Sequence, residues 1–147
     1  MAVNFEELIF PTLECLHIAG FAMAIGTTAI VDLRILDLGF RTQSSTQLVK
    51  DATWWMLGGL LLAIFTGFGL YSSDPDMYYM NWSFLIKMGC LIAAILFHYT
   101  IRRAVARSAD SPEGASAAGK LAAVISILLW SSVIFGGIFI AFIPGGL

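Results

Sequence analysis

Four ionisable residues lie inside the apolar stretches of this sequence: Glu14, His17, Lys87 and His98. Ionisable groups at membrane depth cost free energy, so each of them requires a partner or a function. A neutral imidazole on a helix inside a bundle is the usual axial ligand of haem b. The chain has two histidines and can supply at most one bis-histidine haem. His17 and His98 are therefore the candidate iron ligands, and Lys87 and Glu14 are candidate cofactor-binding residues beside them.

Helical geometry groups these residues by face and by depth. Glu14 and His17 share a stripe of roughly 60° with Asp32, and Lys87 and His98 share an arc of about 40°. At a rise of ~1.5 Å per residue, Glu14, His17 and Lys87 lie roughly 5–10 Å below the outer membrane edge, whereas His98 lies about 20 Å below it. These depths predict a haem held by His17, alone or together with Lys87. They also make a Glu14–Lys87 ion pair feasible.

Arginines near the inner ends of the first and third apolar stretches are further candidate contacts to a cofactor. Arg34 and Arg102, with Arg103, could pair with the propionates of a cofactor that lies deeper in the membrane. Structural interpretations compete with these roles. Lys87 could extend to the outer surface, His98 could bond a backbone carbonyl, or the polar residues could only pack the bundle.

Other metal chemistry has weaker support in the sequence. The spacing Glu14-x-x-His17 occurs in carboxylate di-metal sites, but such a site needs a second motif and further carboxylates, which the chain lacks. Cys15 and Cys90 form no Cys-x-x-Cys motif, so a copper or disulfide role is poorly supported.

The composition defines the class of protein that must position these residues. Of 147 residues, 59% are hydrophobic and 12% are charged, against about 25% charged in soluble proteins. The mean hydropathy is +0.84. Eight basic residues against ten acidic ones exclude a nucleic-acid-binding surface, and the apolar content excludes disordered and collagen-like chains. At ~20 residues per span, the chain holds about four membrane helices and no separate soluble catalytic domain.

The predicted fold is all-α, a single integral membrane domain over residues 1–147 in which four transmembrane helices form a bundle. The spans cover about 11–31, 54–71, 84–101 and 121–143. Small residues at helical spacing predict close helix packing or a dimer face. These are Gly59, Ala63 and Gly67 on the second span, Ala22 and Gly26 on the first, and Ser132 and Gly136 on the fourth.

The basic residues predict the orientation. Seven of the eight lie in the first and third connections, and the second connection and both termini have none. Because cytoplasmic loops carry an excess of Lys and Arg, those two connections are predicted to be cytoplasmic and both termini to be outside. The residues are Arg34, Arg41 and Lys50 in the first connection, and Arg102, Arg103, Arg107 and Lys120 in the third.

The third span resembles a known family. Its Trp82, Lys87, ten intervening residues, His98 and the following Arg102 are similar to the pattern of the HemJ-type protoporphyrinogen oxidases, small bacterial membrane proteins. The segment around His17, with Arg34 near the inner end, and the pair Thr66-Gly67 are similar too. CopD-like copper-resistance membrane domains share a related outline. The resemblance covers about three of the four spans.

This resemblance implies a haem ligand at His17 and site residues at Lys87 and His98. It also implies a bacterial cytoplasmic membrane with periplasmic termini. The HemJ-type proteins carry an Asn-Glu-x-Pro-like element at the fourth helix, where this chain reads Lys120 to Ser126 without it. A porphyrin site, or the fold alone, is therefore expected more than the oxidase activity.

The function predicted from the sequence is binding of haem b or a porphyrin by a membrane redox or electron-transfer component. The expected partners are the lipid bilayer, a redox partner or larger membrane complex, and a second copy of the chain. One alternative is a cofactor-free structural or accessory subunit of a membrane complex. Another is copper or small-ion passage in the manner of CopD-like domains.

Overall fold

The computed structural model describes residues 5–40 and 42–143, and these residues form helices joined by short connections. Arg41 of the first basic connection and the two chain ends lie outside the described residues. The helices are α1 (Phe5–Ile35), α2 (Ser45–Ser73), α3 (Pro75–Tyr79), α4 (Trp82–Thr100), α5 (Arg102–Ala109) and α6 (Ala117–Ile140).

Four of these helices are long and apolar enough to cross a membrane: Leu8–Ile35 within α1, then α2, α4 and α6. The predicted all-α bundle of four membrane helices is confirmed, and the chain is a multi-pass membrane protein in a lipid bilayer. The first two helices extend beyond the predicted spans. In particular, α2 begins at Ser45, nine residues before Trp54.

Polar side chains cap the helices where their first N–H groups have no partner within the helix. The Ser44 hydroxyl accepts from the Gln47 N–H of α2 at 3.1 Å. The Asn81 side chain accepts from the N–H of Ser83 in α4 at 2.9 Å. After the last residue of α1, Asp37 and Phe40 adopt positive φ values of 60° and 56°, which turn the chain toward α2.

The bundle consists of two closely packed helix pairs, α1 with α2 and α4 with α6. A Cβ atom on Gly20 would lie 2.7 Å from the carbonyl oxygen of Gly59, so only glycine permits this approach. The packing role predicted for Gly59 and Ala63 is confirmed, but their partner on α1 is Gly20. Among the described residues, nothing outside the neighbouring backbone of α1 lies within 4 Å of a Cβ built on Gly26.

Two apolar clusters occupy different levels of the bundle. One contains Ala24, Met56, Leu60, Leu91, Ala94, Trp130 and Val133 near the middle. The other packs α5 against the ends of α1, α2 and α6, and contains Val31, Ile35, Val49, Ala52, Ala106, Ala109 and Ala123. Polar residues therefore form separate groups, one toward α3 and one toward α5. We call these ends of the bundle the α3 end and the α5 end.

Candidate functional site

His17 on α1 is fixed against the backbone of α2. Its Nδ1 lies 2.8 Å from the carbonyl oxygen of Ala63 and 3.2 Å from the hydroxyl of Thr66. A carbonyl oxygen only accepts hydrogen bonds, so Nδ1 carries the hydrogen and Nε2 presents its lone pair. Gly67 leaves room for the ring, because a Cβ there would lie 2.8 Å from Cε1 of His17. The imidazole thus has a defined orientation.

Lys87 on α4 reaches His17 rather than the membrane surface. Its Nζ lies 3.2 Å from Nε2 of His17 and 4.9 Å from the centre of the Phe21 ring, a cation–π distance. Gly136 of α6 leaves room for this side chain, since a Cβ there would lie 3.0 Å from Cβ of Lys87. We call His17, Lys87, Phe21 and Thr66 the His17 cluster.

Glu14 does not take part in this cluster. Its side chain is exposed, and among the described residues it forms no ion pair with Lys87. The Glu14–Lys87 pair that the depths made feasible does not form, because Lys87 Nζ lies against Nε2 of His17 and the ring of Phe21. Glu14 instead lies toward α3, where burial and then the charges of Glu14 and Asp74 raise the pKa of Tyr78.

A cavity of about 270 Å³ adjoins the His17 cluster and is partly open at the bundle surface. His17 and Lys87 line it, and the rest of its wall is apolar or aromatic. Three of the rings pack on one another at centroid distances of 5.6 to 6.0 Å and close the cavity toward the α3 end. These rings belong to Tyr71, Tyr78 and Phe84.

The donor set of the His17 cluster fits one axial ligand of a haem. Histidines that bind metals usually donate their other ring N–H to a backbone carbonyl or a carboxylate, as His17 does to Ala63. Ligation at Nε2 requires Lys87 Nζ to move away. The cavity lies just below the range of about 300–1,000 Å³ typical of ligand sites, so a flat macrocycle would extend through its open side.

A second polar group joins α1, α5 and α6. Nη2 of Arg102 lies 2.7 and 2.9 Å from the two carboxylate oxygens of Asp32 and 2.6 Å from the hydroxyl of Ser126. Ser126 donates to Asp32 at 2.8 Å, and Nη1 of Arg102 donates to the Thr28 carbonyl at 3.1 Å. All four residues are at most 2% exposed. We call them the Arg102 cluster.

The other predicted site residues lie at the α5 end, away from the His17 cluster. Arg102 is already paired with Asp32, so it does not offer a free guanidinium to a propionate. Arg34 donates to the Gln43 carbonyl at 2.7 Å and lies 3.5 Å from Asp37. It therefore holds the connection between α1 and α2.

His98 is 3% exposed, and its Nδ1 has no hydrogen-bond partner among the described residues. It follows Lys87 by 11 positions on α4, which corresponds to about 16 Å. Because Lys87 contacts His17, a single iron cannot be ligated by both histidines. Among the residues that the structure describes, no group of three or more His, Cys, Asp or Glu side chains could hold a metal ion.

Several residues of these clusters were not predicted from the sequence. Thr66 was marked only by the resemblance to HemJ-type proteins, and Ser126 had no signal, because many hydroxyl residues bond their own helix. The pairing of Asp32 with Arg102 had a signal, since both charges were placed near the same membrane level. The aromatic wall required the position of α3, which periodicity does not give.

The sequence profile of one family matches residues 8–143, which contain the four spans and both polar clusters. The chain belongs to this family. It is DUF6644, a family of unknown function. No curated protein and no solved structure matches the chain.

Proposed function

We propose that this membrane protein binds haem b, or a related porphyrin, through Nε2 of His17 and serves as a redox or electron-transfer component. The observation that carries the proposal is the orientation of His17. Its Nδ1–H is held by Ala63, and its Nε2 contacts Lys87 beside a cavity between membrane helices that both side chains line. The resemblance to HemJ-type proteins supports the same site, because it includes both His17 on α1 and Lys87 on α4.

The residues around the cavity have distinct roles in this proposal. Ala63 and Thr66 fix the ring plane and the tautomer of His17. The aromatic side chains exclude water and provide flat surfaces for a conjugated ring. Lys87 supplies a positive charge and N–H donors next to the ligand. A haem bound there would supply one-electron transfer at its iron.

The location belongs to the proposal as well. The excess of basic residues in the connections at the α5 end supports a cytoplasmic location of that end, with the termini on the opposite side. The resemblance to HemJ-type proteins supports a bacterial cytoplasmic membrane with periplasmic termini. The His17 cluster then lies near the periplasmic side, where a redox partner or a larger membrane complex would exchange electrons with it.

One observation favours a second candidate, a cofactor-free accessory subunit of a membrane complex. His17 and Lys87 satisfy each other, because the Nζ group donates to the only free nitrogen of the imidazole. Such a pair would join α1, α2 and α4 without any ligand. The two candidates differ in whether Nε2 of His17 accepts a metal.

A haem titration of the purified protein in mild detergent separates these candidates. We expect a shifted Soret band that saturates at one haem per chain. His17→Ala should abolish it, and His98→Ala is the matched control that should retain it. Lys87→Met frees Nε2 and should tighten binding by about fivefold, the equivalent of one hydrogen bond. Absence of a shift in folded wild-type protein, or equal shifts in wild type and His17→Ala, would favour the accessory subunit.

A further inference from the structure

Most basic side chains of the described residues have a partner within the chain. Arg102 pairs with Asp32, Lys87 contacts His17, and both Arg34 and Lys120 pair with Asp37. Three basic side chains have no ion pair or hydrogen bond to any residue that the structure describes, and they converge on one groove. They are Lys50, Arg103 and Arg107.

This groove lies between the first turns of α2 and one face of α5. Its volume is about 280 Å³, and it is lined by the three basic residues together with Thr46, Val49 and Ala106. Val49 and Ala106 are 5% and 1% exposed and form an apolar floor. The groove therefore combines three cations with an apolar base, and none of its lining residues is acidic.

Asp110 fixes the two walls of the groove relative to each other. Its carboxylate accepts from the backbone N–H groups of Ser45 at 2.6 Å and Thr46 at 2.9 Å, and from the Ser44 hydroxyl at 3.1 Å. The end of α5 thus caps the beginning of α2. This carboxylate is bound to the N-terminus of α2, and among the described residues it forms no ion pair with a cation of the groove.

The cations lie close together, and none of them has an ion-pair partner among the described residues. Arg103 and Arg107 are four positions apart on α5, a spacing at which like charges repel and destabilise a helix. Lys50 faces them across the groove from α2. The preference for basic residues on the cytoplasmic side explains their sign, but not their convergence on one groove. A bound anion would remove the repulsion.

Exposed aromatic residues indicate the level of the groove in the bilayer. Trp54 is 74% exposed and follows Lys50 by four positions, and Tyr99 is 46% exposed and precedes Arg103 by four. Trp and Tyr at such positions mark the membrane–water interface. Four helical residues span about 6 Å, which is close to the thickness of one headgroup layer. The cations on both walls therefore lie at the depth of lipid phosphates.

We propose that this groove binds the phosphodiester headgroup of an anionic phospholipid. Arginine forks match phosphate oxygens with two parallel hydrogen bonds, and Lys50 adds a third cation. Basic pockets between membrane helices at this level are suited to such headgroups. A lipid fits better than free phosphate because its acyl chains would lie along the adjoining apolar surfaces of α2 and α4. This site is independent of the His17 cluster and of any haem.

Native mass spectrometry of the full chain tests the proposal, with dioleoyl phosphatidylglycerol and dioleoyl phosphatidylcholine as the probes. We expect the wild type to prefer the anionic lipid. Removing one cation should weaken that preference by about fivefold, and Arg103→Gln/Arg107→Gln should weaken it by about 30-fold. Arg103→Lys/Arg107→Lys keeps the charges and should retain most of the preference.

Lys120→Gln is the matched control, since Lys120 is a basic residue at the α5 end that lies outside the groove. It should leave the preference for phosphatidylglycerol within about twofold of the wild type. Equal binding of the two lipids by the wild type would overturn the proposal. So would an equal loss in Lys120→Gln and in the double Gln variant. Displacement of the lipid by millimolar inorganic phosphate would show that the groove takes free phosphate instead.

Discussion

The His17 cluster and the Arg102 cluster are both polar groups between membrane helices, yet they differ in burial and in the number of partners around the charged group. In the Arg102 cluster, a bidentate ion pair, a serine and a backbone carbonyl surround one guanidinium, and every member is buried. In the His17 cluster, a single contact joins Lys87 to His17, both side chains are half-buried, and a cavity lies beside them.

The difference indicates different roles. Nε of Arg102 has no hydrogen-bond partner among the described residues, but it is buried from solvent. The Arg102 cluster therefore joins α1, α5 and α6 as a buried contact. A half-buried pair beside a cavity can open at low cost and present its groups to a ligand. The apolar cluster around Met56 and Trp130 separates the two levels. Changes at one cluster should therefore leave the other largely intact.

The largest effect is expected from Asp32→Asn, which leaves the Arg102 guanidinium buried without its counter-charge. Breaking a buried ion pair in this way costs about 3–5 kcal/mol of unfolding free energy. Denaturant unfolding in detergent, followed by tryptophan fluorescence, measures the loss. Asp37→Asn, which affects the more exposed pairs with Arg34 and Lys120, should cost about 1 kcal/mol or less. Equal losses in the two variants would contradict the role assigned to the Arg102 cluster.

The next effect concerns the helix pair that carries His17. A Cβ added by Gly59→Ala would lie 2.5 Å from the Gly20 carbonyl oxygen, so α1 and α2 must separate. We expect a loss of about 1–3 kcal/mol in unfolding free energy, as for other overpacked sites. Gly26→Ala adds the same atom where no neighbour lies within 4 Å, and it should be neutral or slightly stabilising. If both variants behave alike, the close approach of α1 and α2 does not position His17.

A smaller effect is expected at the capping contact between α5 and α2. Burial raises the pKa of Asp110, but hydrogen bonds from Thr46, Ser45 and Ser44 outweigh it and lower the pKa from 3.8 to about 2. The carboxylate therefore stabilises the fold above about pH 4, and this contribution disappears as the pH falls through 2. Asp110→Ala should cost about 1 kcal/mol at pH 7 and match the wild type near pH 2.

Unfolding curves of both proteins between about pH 2 and 7 test this expectation. Asp51→Ala is a suitable control, because that exposed carboxylate accepts only from the Gln47 side chain. A constant difference between wild type and Asp110→Ala over the whole range would show that the carboxylate charge contributes nothing.

The smallest effect on stability is expected from Lys87→Met. The change removes one hydrogen bond to His17 but also removes the cost of keeping an amine between membrane helices. The unfolding free energy should change by about 1 kcal/mol or less. Lys87→Met and Asp32→Asn both change a charged residue of a polar cluster, so the comparison tests the clusters against each other. A loss as large as that of Asp32→Asn would make the His17 cluster a structural joint as well.

Much of the fold was predictable because each span must satisfy its own backbone hydrogen bonds in lipid. The proximity of His17 and Lys87 also followed from depth, since a helix has a constant rise per residue. The partner of Lys87 did not follow, because Glu14 and His17 share a stripe and only the tilt and rotation of α1 decide between them. The rotation of α1 also decides why Gly20, and not the predicted Gly26, contacts α2. The groove at α5 depends on a short helix whose direction no periodicity determines.

The central claim is that His17 provides a ligand site whereas the Arg102 cluster is structural. The most direct measurement is the reduced-minus-oxidised absorption spectrum of the protein purified in mild detergent from its native membrane. We predict a Soret band that shifts on reduction, is lost in His17→Ala and is retained in His98→Ala. A folded but colourless wild-type protein, or a band that survives in His17→Ala, would contradict the claim.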